Sequence, residues 1–195
     1  MFDKKRFEFI AKKYGHFASW ALWADEGEKP KDNIGDLSIF DIEKNKDLLK
    51  QIKPNIVFVG LNISRRIEKP LANFHDARPQ AMDYKIRYAL KNTPYYGAYM
   101  TDIIKDFEQK ISGNVMTYLK LNKTFETNNI EIFREEICDL KFNKPQIIAF
   151  GNDAHKILLN NLSSEYSIVK IPHYSNYISK ENYKKEIDRI LSSLE

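Results

Sequence analysis

Short apolar runs, rich in β-branched and aromatic residues, recur along the second part of the chain. They cover residues 55–60, 97–104, 145–151 and 166–172. Strands that are buried on both faces of a parallel sheet are almost continuously apolar in this way, whereas half-exposed strands alternate with polar residues. The second run is more polar than the others, because it contains Thr101 and Asp102. We predict a strand at each run.

Segments in which apolar residues recur at helical spacing follow each of these strands. They cover residues 81–92, 129–142, 153–162 and 179–195. This alternation predicts an α/β fold, namely a three-layer α/β/α sandwich around a central four-stranded parallel sheet. The chain has 195 residues, which fits one domain with a sizeable core. We therefore predict a single domain, 1–195, whose α/β core is residues 52–195.

Residues 1–51 do not share this alternation, and we predict an N-terminal segment of helices and loops. Residues 1–15 and 41–51 suit helices, while residues 25–38 are polar and contain glycine and proline, as loops do. Between them, residues 17–23 read FASWALW. We interpret this aromatic patch as part of the core rather than as a binding surface.

Composition excludes several classes of protein. Lys and Arg number 31 against 27 Asp and Glu, and this net charge of +4 permits a polyanionic partner without requiring one. Cys138 is the sole cysteine, which excludes an internal disulfide, a CxxC zinc site and an Fe–S cluster held by the chain's own thiolates. We expect Cys138 to be buried, and we predict no metal and no cofactor.

The chain also lacks the sequence signals of a membrane or secreted protein. No apolar run approaches the roughly 20 residues that a membrane helix needs. The N-terminus carries charges every few residues and lacks the apolar centre of a signal peptide. We therefore expect a cytoplasmic protein without a membrane partner, and we expect a monomer.

Polar residues stand in or directly after each predicted strand. They are Asn62 and Ser64, Asp102, Asn152, and His173, Ser175, Asn176 and Tyr177. In open α/β sheets, ligands bind beyond the carboxyl ends of the strands, where the strand order reverses. Taken singly, these residues indicate little: Asn62 suits a turn, and Asp102 fits a structural acid paired with Lys105 or with a backbone amide. Together they predict a site at this edge of the sheet.

Three motifs, in this order, resemble those of the uracil-DNA glycosylase superfamily. VFVGLNIS (57–64) resembles its first motif, a strand that ends in GxN or GxD. AYMTDIIK (98–105) resembles its second strand, which usually ends in Thr-Asn. IPHYSNY (171–177) falls where the family has its second motif, commonly His-Pro-Ser. The resemblance spans roughly residues 52–190 and implies the fold of that superfamily.

The resemblance also implies an activity, which is hydrolysis of the N-glycosidic bond of a flipped-out base. Such an enzyme extrudes the nucleotide from the duplex, then binds the base and stabilises it as it leaves with negative charge. By resemblance, Asn62 positions the water, His173 donates a hydrogen bond to the leaving base, and Phe74 stacks on it. An amide is a poor general base, so the chemistry should be slower than in family members with Asp at this position.

The remaining family roles concern the base and the DNA. By resemblance, Asp102 reads the edge of the base, and Gly60 and Leu61 belong to the base pocket. The DNA contacts that the resemblance implies involve Ser64, Ser175, Asn176 and Tyr177. Of these, the two serines suit phosphates, and Tyr177 stands where the family places a wedge that fills the gap in the base stack.

Asp102 departs from the family pattern, because an Asn usually reads the base there. Asn offers a donor and an acceptor to uracil, whereas an ionised carboxylate offers acceptors alone. Either burial keeps Asp102 protonated, so that it imitates Asn, or the base presents two donors, as guanine does. We predict weak or absent activity on plain uracil. Ile63 and Tyr174 also replace prolines that are common in the family.

Two other functions remain open from the sequence. A nucleic-acid- or nucleotide-binding module with the same fold would keep the pocket and lack the chemistry. A small-molecule enzyme with a doubly wound sheet has less support, because no GxGxxG, GxxxxGK[ST] or GxSxG motif occurs in the chain.

Overall fold

The computed structural model describes residues 2–105 and 107–194, without the side chain of Pro54, and it has five strands and seven α-helices in these ranges. The strands are β1 Ala18–Trp20, β2 Lys53–Asn62, β3 Ala98–Ile104, β4 Gln146–Phe150 and β5 Ile168–Ile171. The helices are α1 Lys4–Tyr14, α2 Leu48–Gln51, α3 Tyr84–Leu90, α4 Ser112–Leu121, α5 Lys123–Leu140, α6 Gly151–Leu162 and α7 Lys180–Leu191. Short 3₁₀ helices cover Leu37–Phe40 and Ser192–Leu194.

The strands form one mixed sheet in the order β1-β3-β2-β4-β5. Strands β3, β2, β4 and β5 are parallel, whereas β1 pairs antiparallel with β3. The prediction of an α/β fold is confirmed, but the prediction of a four-stranded, wholly parallel sheet is wrong. The fifth strand comes from the N-terminal segment, which we had expected to hold helices and loops alone.

Helices cover both faces of the sheet. Val57, Val59 and Leu61 of β2 point into a core that they share with α1, α5 and α6. Phe58, between them, points into a second core shared with α3 and α7. Because successive side chains of a strand point to opposite faces, these two cores lie on the two sides of the sheet.

The FASWALW patch belongs to the core, as interpreted from the sequence. All seven residues are buried, and Trp20 and Leu22 are fully buried. The Trp20 ring lies edge-on to Tyr99 of β3, with 4.8 Å between ring centroids. The sequence did not reveal the strand itself, because three residues are too few to show a period and aromatic residues surround them.

Helix α4 and the first turns of α5 were also absent from the sequence prediction, which placed a helix at 129–142. Gly113 and Asn114 near the start of α4 are weak helix formers. Only Val115 and Leu119 of α4 are buried, so its apolar stripe is narrow. The pattern therefore did not distinguish α4 from a loop.

Cys138 is exposed, so the expectation of a buried cysteine is wrong. Helix α5 buries Phe133, Ile137 and Leu140 against the sheet. Position 138 lies about 100° around the helix from Ile137 and therefore faces outward. No helix among residues 2–105 and 107–194 is long and apolar enough to cross a membrane.

A buried ion pair joins the end of β3 to helix α5. Lys105 Nζ lies 2.5 Å from Glu136 Oε2, and both side chains are almost fully buried. Tyr99 donates a hydrogen bond to Glu136 Oε1 at 2.7 Å, and Lys105 Nζ donates one to Thr101 Oγ1 at 2.6 Å. Lys105 thus pairs with Glu136 and not with Asp102.

We expect Glu136→Gln to lower the free energy of unfolding by about 3–5 kcal/mol, because it leaves the Lys105 ammonium buried without its counter-charge. Urea denaturation measures the change. Glu135→Gln is the matched control: Glu135 pairs with Lys13 at the surface, so its loss should cost about 1 kcal/mol or less. Equal effects of the two substitutions would contradict the importance of the buried pair.

Candidate functional site

A cavity of about 930 Å³ opens at the carboxyl ends of the parallel strands. Strand β3 lies next to β2 on one side, whereas β4 and then β5 lie on the opposite side of β2. The direction in which strands are added to the sheet therefore reverses at β2. The cavity thus lies at the position where the strand order reverses, which is where α/β sheets bind ligands. Nine of the predicted site residues line it: Gly60, Leu61, Asn62, Ser64, Phe74, Asp102, His173, Ser175 and Asn176.

Tyr177 is the predicted site residue that does not line the cavity. Its side chain is fully exposed, with a relative accessibility of 106%, and it follows Ser175 and Asn176 of the cavity rim. A large aromatic side chain that projects freely beside a cavity is available to contact a partner.

Phe74 forms an aromatic wall of the cavity. It is 4% exposed, and its ring packs against Phe150 and Tyr174, with centroid distances of 5.9 and 6.3 Å. Its backbone has a φ of 62°, a left-handed conformation that is costly for a bulky residue. Two hydrogen bonds hold it there: Phe74 N–H donates to Asn73 Oδ1, and Trp23 Nε1 donates to the Phe74 carbonyl.

Asp102 is buried in the cavity wall, with 3% of its surface exposed. Its Oδ2 accepts a hydrogen bond from Asn73 Nδ2 at 2.8 Å. Burial raises the pKa of Asp102 to about 7, although the hydrogen bond from Asn73 and the charge of Lys105 oppose the shift. Near neutral pH the group therefore exists in both protonation states.

Gly60 lies opposite Asp102 in the β2–β3 register, and its lack of a side chain makes room for the carboxyl group. A Cβ at position 60 would collide with Asp102 Oδ1 and come within 3.4 Å of Phe74 Cζ. Oδ1, the oxygen that Asn73 does not bind, thus lies directly over Gly60. The glycine of the GxN motif is explained by this close approach.

We expect Gly60→Ala to destabilise the protein by about 1–3 kcal/mol and to displace the Asp102 carboxyl group, because the cavity wall has no space for the methyl group. Thermal and urea unfolding measure the first effect. Gly113→Ala is the control: nothing lies within 4 Å of a Cβ there, and alanine is the better helix former. A Gly60→Ala protein as stable as the control would contradict the close packing.

Asn73 connects Asp102 to Phe74, a role that the sequence did not reveal. Its Nδ2 donates to Asp102 Oδ2 and to the Phe17 carbonyl, each at 2.8 Å, and its Oδ1 accepts from Phe74 N–H at 3.1 Å. Both amide hydrogens and the amide oxygen of Asn73 are therefore engaged. This bonding fixes Oδ2 of Asp102 as a hydrogen-bond acceptor, so a proton on the carboxyl group resides on Oδ1.

His173 is a neutral hydrogen-bond donor. Its Nδ1 accepts from Ser175 N–H at 3.2 Å and lies 2.8 Å from Ser175 Oγ, so the ring proton is on Nε2. Burial lowers the pKa of His173 to about 4, which keeps the ring uncharged at neutral pH. The ring stacks on Tyr174 with a centroid distance of 4.4 Å. Ser175, for which the sequence predicts phosphate binding, is seen here to orient this histidine.

Asn62 joins the end of β2 to the loop that follows β3. Its Nδ2 lies 2.8 Å from the carbonyl oxygens of Ile63 and Phe107 and 2.9 Å from that of Gln109. Its two N–H groups donate to these three acceptors. Gln109 N–H donates in turn to the Ile63 carbonyl. The amide nitrogen thus has a structural role, and only Oδ1 of Asn62 is left for a water molecule or a ligand.

A second buried acid, Asp83, lines the cavity. It was not among the site residues predicted from the sequence. It is 6% exposed, and it accepts a hydrogen bond from Asp76 N–H at 2.8 Å. Burial raises the pKa of Asp83 to about 7. Burial also acts on Asp76, but hydrogen bonds from Arg78 and the charge of Arg65 outweigh it and lower that pKa to about 2.

Comparisons of the chain with protein-family models, with curated proteins and with solved structures find no match. Its fold and its site define an α/β protein with a polar, partly aromatic cavity at the carboxyl ends of four parallel strands. Within the described residues, no three His, Cys, Asp or Glu side chains are grouped so that they could hold a metal ion.

Proposed function

We propose that the chain is a divergent DNA glycosylase, with a fold like that of the uracil-DNA glycosylase superfamily, and that it hydrolyses the N-glycosidic bond of a flipped-out base. The observation that carries the proposal is the convergence of Phe74, Asp102 and His173 on one cavity. They supply an aromatic wall, a group that reads a base edge and a neutral proton donor. Base extrusion followed by hydrolysis needs these three functions.

In this proposal, His173 stabilises the departing base. As the bond from C1′ to the base nitrogen breaks, both electrons go to the base, and negative charge develops on its carbonyl oxygen. The Nε2–H of His173 donates a hydrogen bond to that oxygen, which is the role of an oxyanion hole. A neutral imidazole needs no change of protonation state to do this.

Asn62 holds the attacking water through Oδ1, the one polar atom of its side chain that the loop does not engage. Water adds to C1′ of the sugar, and its proton passes to solvent or to the departing base. Because an amide has almost no basicity at neutral pH, Asn62 orients the water without deprotonating it. We expect turnover to be slow for this reason.

The rim of the cavity supplies contacts for a DNA backbone. Ser64 and Ser175 offer hydroxyl groups, and Lys110 and Lys170 add positive charge to the same rim. Such groups position DNA through its phosphates without reading its sequence. In this proposal Tyr177, whose side chain is fully exposed beside the rim, fills the gap that an extruded nucleotide leaves.

A catalytically inactive nucleic-acid- or nucleotide-binding module on the same fold is the second candidate. The engagement of the Asn62 amide nitrogen with three backbone carbonyls favours it, because the residue then stabilises a loop and has no need of a catalytic role. This candidate predicts binding of a base without cleavage of its bond.

An oligonucleotide assay separates the two candidates. Single- and double-stranded oligonucleotides that carry uracil, hypoxanthine, xanthine, 8-oxoguanine or a mismatch are incubated with the protein, and abasic sites are then cleaved. We expect release of at least one base, and His173→Ala should reduce it by about 10²–10³-fold, as for the loss of an oxyanion donor. His155→Ala, on α6 and outside the cavity lining, is the control. Salt-dependent binding without release would favour the binding module, and no binding at low salt would reject both.

A further inference from the structure

Two buried carboxyl groups line the same cavity, and neither forms an ion pair with another residue that the structure describes. Asp102 comes from β3, and Asp83 directly precedes α3; they are 3% and 6% exposed. Across the described ranges of the chain, neither group forms a salt bridge, although the charges of Arg65 and Arg78 act on Asp83 and that of Lys105 acts on Asp102. Asp102 has a hydrogen bond from the Asn73 amide, and Asp83 has one from the Asp76 backbone. Within the part of the chain that the structure describes, each therefore keeps one oxygen without a protein donor.

The neighbouring acid Asp76 provides a direct contrast. It lines the same cavity but binds Arg65 and Arg78, which neutralise it. Burying a carboxylate without a partner is costly, and the cost falls when a ligand brings hydrogen-bond donors. The free oxygens of Asp83 and Asp102 therefore match a ligand that is rich in donors and poor in acceptors on the edge that meets them.

We propose that the cavity takes a guanine-type base, which carries a ring N–H beside an exocyclic amino group, and that Asp102 and Asp83 together accept its donors. The inference rests on the proposed function and names the substrate class of that same site. Asp83 becomes a specificity-determining residue, a role that no sequence motif indicates.

The chemistry of the guanine edge fits two carboxyl groups better than one. Asn73 already occupies Oδ2 of Asp102, so Oδ1 is left to accept the N1–H of the base. The neighbouring amino group needs another acceptor, which the free oxygen of Asp83 supplies. Uracil and hypoxanthine lack the amino group and would leave the second acid without a donor. The Phe74 ring suits any flat base and does not distinguish among them.

The test compares two bases that differ in the amino group alone. Duplex oligonucleotides carrying either 8-oxoguanine or 8-oxohypoxanthine opposite the same partner are bound to the full-length protein, and fluorescence anisotropy gives their affinities. We expect the wild type to prefer 8-oxoguanine by about tenfold or more, because 8-oxohypoxanthine leaves a buried acceptor unmatched. Asp83→Asn, close in shape, should reduce that preference to about threefold or less.

Asp153→Asn is the matched control, because Asp153 also lines the cavity and has no part in the proposed reading of the base. Its preference between the two bases should equal that of the wild type. Asp83→Ser serves as a second variant if Asp83→Asn unfolds, as circular dichroism would reveal.

The outcomes separate this inference from the proposed function. Equal affinity of the wild type for both bases, or an unchanged preference in a folded Asp83 variant, overturns the inference. Release of any base in the same samples would then leave the glycosylase proposal standing. Binding of neither oligonucleotide above the level of undamaged duplex, together with no release of any base, overturns both.

Discussion

Asp102→Asn should raise the release of uracil from DNA by about one to two orders of magnitude, which corresponds to the roughly 1–3 kcal/mol that an unmade buried hydrogen bond costs. The ionised carboxylate of Asp102 and the uracil carbonyl are both hydrogen-bond acceptors, so they repel each other. The amide of Asn at position 102 would donate a hydrogen bond to that carbonyl. The geometry of position 102 suits this exchange, because Asn73 fixes one oxygen and the other lies over Gly60. Single-turnover release from a uracil-containing oligonucleotide measures the effect.

The pH dependence of uracil release provides the control for this prediction. Burial raises the pKa of Asp102 to about 7, so below that pH the group is protonated and offers a donor as Asn does. Above it, the carboxylate repels the uracil carbonyl. Uracil release by the wild type should therefore fall as the pH rises through about 7, and Asp102→Asn should lose this part of the pH profile. Unchanged uracil release by a folded Asp102→Asn protein would contradict the reading role of Asp102.

Asn62→Asp should lower both stability and activity, although the resemblance to Asp-type glycosylases alone would suggest faster chemistry. The substitution replaces a donor by a carboxylate that faces the carbonyls of Ile63, Phe107 and Gln109. We expect the free energy of unfolding to fall by about 2–4 kcal/mol, because several partly buried acceptors lose their donor and a charge is set against them. Urea denaturation and the oligonucleotide assay measure the two effects.

Asn152→Asp is the matched control for this substitution. Asn152 also lines the cavity, but its side chain is exposed, and its Oδ1 accepts a hydrogen bond from Lys170 at 2.9 Å. A carboxylate there keeps that contact, so the stability should change by about 1 kcal/mol or less. An Asn62→Asp protein that is as stable as this control and releases bases faster would contradict the prediction. The side chain at position 62 would then activate the water, and its hydrogen bonds to the loop would be unimportant for stability.

The sequence predicted the parallel part of the sheet because strands buried on both faces leave a continuous apolar run, as in β2 and β4. It failed for β1, since three residues in an aromatic stretch show no period. It failed again for α4, whose narrow buried stripe is interrupted by glycine and polar residues. In both cases tertiary packing, rather than local pattern, decides the structure.

The candidate site was predictable where it depended on the ends of strands. Asn62, Asp102 and His173 follow from the rule that parallel strands deliver their carboxyl ends to one edge. Asn73 and Asp83 were not predictable, because their roles depend on partners that the fold alone brings near. Asn73 and Asp102, which are joined by a hydrogen bond, lie 29 positions apart in the sequence. Asn62 and Phe107, joined in the same way, lie 45 positions apart.

The most direct test of a base-reading cavity is a structure of the protein bound to a duplex whose damaged nucleotide carries a 2′-fluoro group, which blocks cleavage. The proposal predicts an extruded base with its ring against Phe74 and its edge on Oδ1 of Asp102, within about 3 Å. A base that remains stacked in the duplex, or DNA bound away from the cavity, would contradict it.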